Sequence, residues 1–511
     1  MRTPQQASTR VVFNTGILYG KMLLTMGITL YSTRLVLNAL GASDYGIFNL
    51  IAGVIAMLSF LNAAMTVSTQ RYLSFHQGTG DFAMQKKIFT NSWVLHIGIG
   101  VVVVALLFAM MPFLFGGFLN IPADRISTAK VLYAFMSVSV FFTIISVPFT
   151  ASLNAHENML WIAVVNIIES IIKLAIALSL AWFLQPNRLV AYGAFMAGMT
   201  IISFTLYSMF CLRKYSECSV KHIRIDKPLI KELTGFAGWN LFGALCGVGR
   251  TQGIAVVLNI FFGTVVNAAY GIANQISAQV QTLSYTMLRA LNPQIMKSEG
   301  MNDRKRMLRL AMIASKFGFF LVAIVAIPII FEMPAILKLW LKNVPEYTVM
   351  FCSFTFVAVM IMQLTIGLMP AAQSTGKIKG YQTIVGGILL LNLPIAFILL
   401  KIGLPVISVV ISLVTIEFIA TIVRLFYLRH LAGLSIRDFF KKVFLRETIP
   451  VLAMVATCWL ITNMFYFNYR FLLTGFISVL VFLCAIYFTG LCQDEKLLVN
   501  ELIGKVLKKR K

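Results

Sequence analysis

Runs of about 20 mostly apolar residues recur along the whole chain, each parted from the next by a short polar turn. They fall at roughly 11–33, 45–68, 91–115, 131–154, 159–184 and 189–212. A second series falls at roughly 235–258, 265–288, 311–333, 347–371, 380–400, 404–428, 447–467 and 471–492. Backbone in hydrocarbon must satisfy its own hydrogen bonds, so runs of this length predict helices. Barrel strands would show shorter segments of alternating polarity, and none are visible. The pattern predicts an all-α integral membrane protein of about fourteen transmembrane helices.

Composition agrees. Of 511 residues, 59% are hydrophobic and only 12% charged, with mean hydropathy +0.86. A soluble domain carries about 25% charged residues because its surface meets water. The net charge of +25 raises nucleic acid as a partner, but its distribution points elsewhere. With the N-terminus inside, 29 Lys and Arg fall in inside loops and 7 in outside loops. That asymmetry places both termini in the cytoplasm. The run Lys508-Lys509-Arg510-Lys511 then reads as a tail drawn to anionic membrane lipids, with no nucleic acid involved.

The longest inside connection, 213–234, is basic and divides the chain. It predicts an N-terminal six-helix lobe at 1–212 and a C-terminal six-helix lobe at 235–428. An additional helix pair at 429–492 and a basic cytoplasmic tail at 493–511 follow. The halves echo each other: Val36-Leu37-Asn38 precedes Tyr45-Gly46-Ile47, and Val257-Leu258-Asn259 precedes Tyr270-Gly271-Ile272. Parallel repeats of this kind are one way transporters are built.

No enzyme constellation appears. The five histidines are scattered, and the seven cysteines show neither metal-ligand spacing nor a disulfide framework. Asp44 and Asp124 stand alone in outside loops. No catalytic residue, metal or cofactor is expected. The informative residues are charges within spans, each costing at least about 2.5–3.5 kcal/mol near a helix centre. Two acids, Glu169 and Glu417, face five bases there: Lys21, Lys173, Arg250, Lys316 and Arg424. The excess of bases suits an anion. Glu169 and Lys173, four apart, can pair on one helix face, as can Glu417 and Arg424, seven apart. Lys316 and Arg424 lie near inside ends and can snorkel to headgroups. Lys21 and Arg250 sit mid-span with no acid three or four residues away, and are expected to face a polar cavity. Glycines surround both: Gly16, Gly20 and Gly27 in span one, and Gly235, Gly238, Gly243, Gly247, Gly249 and Gly253 in span seven. They allow either bending beside a binding site or close helix packing.

The stretch from Thr33-Arg34-Leu35-Val36 through Leu40-Gly41-Ala42-Ser43-Asp44-Tyr45-Gly46 resembles the signature of the polysaccharide flippases, as does Arg71-Tyr72-Leu73-Ser74. These Wzx-like proteins belong to the multidrug/oligosaccharidyl-lipid/polysaccharide exporter superfamily. The resemblance extends to length and to the division into six, six and two spans. It implies two six-helix lobes in a V-shaped transporter fold, working by alternating access in the bacterial inner membrane. The implied substrate is an undecaprenyl-diphosphate-linked oligosaccharide for O-antigen, capsule or exopolysaccharide synthesis. Arg250, Lys21, Arg34 and Lys173 would be its cavity cations. Glu169 and Glu417 are candidates for coupling to a proton or sodium ion. A cation-coupled multidrug or metabolite exporter of the same fold is the alternative, and Lys21 in span one argues against it.

Overall fold

The computed structural model describes residues 4–56, 59–119, 121–180, 188–220, 224–341, 344–497 and 500. Every regular element among them is a helix. The first eight α-helices are α1 (Pro4–Ala56), α2 (Ser59–Thr79), α3 (Phe82–Phe113), α4 (Ile126–Ile145), α5 (Val147–Ala155), α6 (Met159–Ser179), α7 (Arg188–Lys214) and α8 (Lys227–Gly300). Then come α9 (Arg304–Phe331), α10 (Met333–Leu341), α11 (Thr348–Gln363), α12 (Leu368–Ser374), α13 (Ile378–Leu390) and α14 (Asn392–Lys401). The chain ends on α15 (Ile407–Ala432), α16 (Ile436–Phe439), α17 (Leu445–Met464) and α18 (Arg470–Ala485).

Among the described residues, eleven helices are long and apolar enough to cross a membrane, or twelve if the bent pair α11–α12 is one span. The expected count of fourteen is therefore not reached. The difference has two identifiable sources. The two spans expected at 235–258 and 265–288 lie in α8, whose 74 residues form one helix with a break at Gly263. The span expected at 45–68 is divided between α1 and α2, with residues 57 and 58 outside the described set. At about 1.5 Å per residue α8 far exceeds a hydrocarbon core of about 30 Å, so its break matters.

That break marks the internal echo. Gly263 has φ 74° and ψ −163°, and Gly41, inside α1, has φ 79° and ψ 168°. Each follows a Val-Leu-Asn tripeptide by a few residues, at Val36-Leu37-Asn38 and Val257-Leu258-Asn259. This corner of backbone space is essentially reserved for glycine. Proline makes the milder breaks. Pro148 opens α5 just after α4 ends, and Pro394 sits in the first turn of α14. Each lacks the N–H that an uninterrupted helix would need there.

The chain forms two compact units. One is Arg10–Leu241 with Gly300–Asn302, and the other holds Phe242–Glu299 and the chain from Asp303 onward. The division falls inside α8, so the basic connection 213–234 is part of the first unit. Asp226 there pairs with Lys87 on α3, and Tyr72 on α2 donates to Glu232 at 2.8 Å.

In the first unit α3, α4 and α7 enclose a core of Val103, Leu107, Leu132, Tyr133 and Tyr192. Gly193 lets α7 approach α4, since a Cβ there would lie 2.6 Å from the Leu132 side chain. The Tyr133 hydroxyl, buried with them, donates to the Leu107 carbonyl at 2.9 Å. In the second unit the core gathers Leu258, Tyr270, Phe351, Phe356 and Val409 from α8, α11 and α15. A smaller cluster of Phe320, Met454, Cys458 and Phe482 holds the helix pair α17–α18 against α9. Leu, Ile, Phe and Val side chains cover the exterior, and Trp459 near the end of α17 stands exposed with Tyr466 and Tyr469 between α17 and α18. Amphipathic rings at a span's end suit a membrane interface.

If Gly263 is needed for its backbone, Gly263→Ala should cost about 1–3 kcal/mol of stability. Gly271→Ala, in the same helix at ordinary helical angles with open space around it, should be neutral or mildly stabilising. Thermal unfolding of both variants in detergent checks this, and equal melting would remove the strain argument.

Candidate functional site

The second unit holds a buried cluster of three charges. Glu417 and Arg424 lie two turns apart on α15, and Arg250 approaches from α8. Arg250 Nη1 donates to Glu417 Oε2 at 2.8 Å. Arg424 Nη2 lies 2.9 Å from Oε1, although off the line of a hydrogen bond. Arg424 Nη1 also reaches Thr365 Oγ1 at 3.4 Å, and Tyr381 lies within electrostatic reach of the same guanidinium. Glu417 and Arg424 are 2% and 7% exposed. The Arg250 side chain is 18% exposed, which makes it the accessible member. Two guanidinium groups share one carboxylate, and one positive charge remains.

The glycines of α8 sort by environment. A Cβ on Gly243 would lie 2.0 Å from Gln382 Oε1, and one on Gly253 2.4 Å from Leu393. Both form a seam against α13 and α14, whereas Gly235, Gly238 and Gly247 meet nothing within 4 Å. The stretch around Arg250 keeps helical angles throughout, so close packing describes it better than bending. In span one the reverse holds. Gly16, Gly20 and Gly27 each face open space and form no packed seam.

The first unit has a cluster of its own. Glu169 on α6 faces Ser203 on α7 and lies within electrostatic reach of Lys21 on α1. One turn away Asn166 donates to the Tyr207 hydroxyl at 2.9 Å. The expected pairing of Glu169 with Lys173 along one helix does not form; the groups near Glu169 come from other helices, Ser203 from α7 and Lys21 from α1. Lys173 is half-buried one turn on, with no ion pair among the described residues. Arg34 is exposed on α1.

Two further expectations change. Arg424 does not snorkel, since Glu417 neutralises it where it lies. Lys316 is 1% exposed, with Nζ on Glu495 Oε2 at 2.5 Å and on the Gly490 carbonyl at 3.2 Å. Its partner is 179 residues away, beyond any sequence spacing rule. Asp44 is likewise not alone. Arg125 Nε lies 3.4 Å from its buried carboxylate, and Arg188 donates to the Ala39 carbonyl at 2.9 Å. Both clamp the corner at Gly41. Arg71 of the second motif is buried with its guanidinium 4.5 Å from the Tyr72 ring and 5.6 Å from Phe236, a cation–π arrangement. The Asp44 and Arg71 contacts are thus structural.

Other pairs carry no signal at helical spacing. Arg470 opens α18 with Nε 2.8 Å from Glu332 Oε1, and Thr474 donates to the same oxygen at 2.7 Å. His156 bonds to Glu217 through Nε2 and stacks on Tyr215 at 3.9 Å between ring centroids. Burial would raise the Glu217 carboxyl, but the hydrogen bond and charge of His156 outweigh it and hold the acid below its usual 4.5.

A family model described as polysaccharide biosynthesis protein matches residues 10–299. No curated protein matches the chain in sequence. Among solved structures, a MATE transporter in a bent conformation superposes with TM-score 0.74 at 12% identity, over 84% of this chain and 96% of that one. An outward-facing multidrug resistance MATE family transporter of the MOP superfamily gives 0.72 at 14% identity, over the same shares. A MOP superfamily transporter from Pyrococcus furiosus, described by the reverse polarity of its binding pocket, gives 0.69 at 13%, again over 84% and 96%. At these identities the likeness is one of fold.

Glu417→Gln should strand Arg424 without its counter-charge and cost about 3–5 kcal/mol. Adding Arg424→Gln should recover part of that loss in thermal unfolding; a single Gln variant as stable as wild type would show that the pair is not needed for folding. For Glu217 the depressed value makes its stabilising contribution present above pH 4.5 and lost as pH falls through the folded value. Hydrogen exchange of the 215–219 loop should therefore accelerate on acidification, and Glu217→Gln should remove that dependence.

Proposed function

We propose, for a chain that belongs to the polysaccharide biosynthesis protein family and has the MATE transporter fold, that it flips a lipid-diphosphate-linked oligosaccharide across the bacterial inner membrane. The chain is a multi-pass membrane transporter, and the cargo is the proposal: an undecaprenyl-diphosphate-linked glycan, moved by alternating access for O-antigen, capsule or exopolysaccharide assembly, with both termini cytoplasmic. The observation that carries it is the Arg250–Glu417–Arg424 cluster. Arg250 is the accessible cation, and Arg424 still neutralises Glu417 if Arg250 turns away. A diphosphate can therefore take Arg250 without leaving a lone carboxylate in a low-dielectric site. Arginine suits this exchange because its planar fork matches carboxylate and phosphate alike.

In the first unit Lys21 lies within electrostatic reach of Glu169, again a base near an acid. Glu169 and Glu417 remain the proposed sites for a coupling proton or sodium ion, with Arg34 and Lys173 as further cavity cations. The alternative, export of cationic drugs, is disfavoured by the same geometry: each of these two acids already has a basic partner, and the Arg250 cluster keeps a positive charge.

The test is flipping of a fluorescent undecaprenyl-diphosphate sugar by reconstituted protein, normalised to monodisperse material. Arg250→Ala should fold, because Arg424 remains on Glu417, and should lose about 10- to 100-fold in rate, the range of a charged hydrogen bond. Arg250→Glu should be slower still, and Arg250→Lys should recover part of the rate. Wild-type flipping by the Ala and Glu variants would remove Arg250 as a ligand of the diphosphate.

A further inference from the structure

Just after the basic segment 429–446 lies a second buried acid that sequence spacing does not flag. Glu447, in the first turn of α17, is 2% exposed, and neither carboxylate oxygen has a hydrogen-bond partner among the described residues. Most acids buried in this chain have a donor or cation in contact. An ionised carboxyl without either is among the costliest groups to bury, so geometry alone favours the neutral acid at this position.

Its surroundings explain how such an acid would be used. The elements packed on α17 are α9, α18, the turn 440–444 and the turn 486–490 that follows α18. They and their flanks bring Lys316 and Arg309 from α9, Lys442 from the turn before α17, and Cys492, Asp494 and Glu495 beyond α18. Arg446, beside Glu447, is taken up by the Thr489 carbonyl at 2.9 Å, and Arg470 at the far end of α18 by Glu332. Of these charges, Lys316 is the one within electrostatic reach of Glu447. Lys316 is instead bonded to Glu495, whose Oε2 also accepts from the Cys492 N–H at 2.8 Å. One buried cation thus stands near two carboxyls and is bonded to one.

Access differs between the two acids. Lys316 and Glu495 line a cavity of about 280 Å³, whose wall also carries the exposed Arg309–Asp494 pair and Lys442. Glu447 does not line it. The cavity therefore opens onto Glu495 and Lys316, and Glu447 lies behind them.

We propose that Glu447 and Glu495 hold one proton between them across Lys316, forming a proton-binding site in the C-terminal helix pair. In the state described, Glu447 carries the proton as the neutral acid while Lys316 pairs with ionised Glu495. In the other state Lys316 pairs with ionised Glu447, and Glu495 holds the proton at the cavity wall. One O–H bond breaks on Glu447 and one forms on Glu495, Lys316 keeps its charge, and the three residues sum to zero in both states. No charge is left unneutralised in the low-dielectric interior at either end of the exchange. The relay rests on the transport reading only in assigning this proton to a transport cycle.

Infrared difference spectroscopy of the purified full chain in detergent tests the relay without substrate. At neutral pH the wild-type protein should show the carbonyl band of a single protonated carboxyl, and Glu447→Gln, the isostere of the neutral acid, should remove it. Glu495→Gln should remove it too, because Lys316 then turns to Glu447 and ionises it. Persistence of the band in Glu447→Gln overturns the assignment. Persistence in Glu495→Gln alone makes Glu447 an inert buried acid and overturns the exchange. In vesicles with an imposed pH gradient, the gradient should accelerate flipping of the fluorescent undecaprenyl-diphosphate sugar by wild type and no longer by Glu447→Gln. Gradient-stimulated flipping by Glu447→Gln would overturn the link to transport. Failure of the wild-type protein to flip that probe would count against the diphosphate reading and leave the spectroscopic result standing.

Discussion

A charge carried into hydrocarbon must bring its counter-charge with it, or sit where water can reach. Much of this structure follows from that constraint. Glu417 is held by two arginines, Lys316 by Glu495, Glu332 by Arg470, and Glu169 lies near Lys21. Apart from Arg424, which shares α15 with Glu417, the partners lie on segments far apart in the chain. They do more than cancel charge: they fix which face of α15 meets α8, and where the segment after α18 docks on α9. Apolar packing between helices in lipid is a weak discriminator, because lipid tails offer much the same surroundings. Buried ion pairs, which are lost when either helix rotates, supply the discrimination instead.

A transporter needs the same contacts to be breakable. A single acid–base pair in a dry interior is expensive to open, because both partners are left bare. The arrangement around Glu417 avoids that expense by placing two guanidinium groups on one carboxylate, with the more accessible one able to leave. The arrangement around Lys316 inverts the ratio, with one cation near two carboxyls. In both, an exchange of partners keeps the site neutralised where a simple separation would not. Such a cluster is a physical basis for bistability of the kind transport requires.

The signature residues that carry the family resemblance turn out to be mostly architectural. Gly41 provides a backbone corner that no side chain tolerates well, and Asp44 with Arg125 and Arg188 holds that corner in place. Gly263 provides the matching corner in the second unit, after the same Val-Leu-Asn tripeptide. The faint sequence echo is therefore an echo of geometry. What recurs is a break that ends one long helical arm and redirects the next.

The sequence by itself determined the class: a membrane-embedded, all-helical protein, since apolar runs of spanning length admit only helices that satisfy their own backbone. It also singled out Lys21, Arg250, Glu169 and Glu417 as the charges worth attention, because the cost of burying charge depends on composition and position along a span. It did not determine their partners. Spacing rules reach three, four or seven residues along one helix, and they anticipated the Glu417–Arg424 face but misdirected Glu169 toward Lys173. The contacts of Arg250 with Glu417 and of Lys316 with Glu495 span 167 and 179 residues. Nor was Glu447 visible as special, because at the edge of an apolar run it reads as a loop acid. Only the packing of α17 on α9 and α18 closes it off from water. Partner choice between helices belongs to tertiary structure, because it depends on rotations and depths that periodicity does not encode.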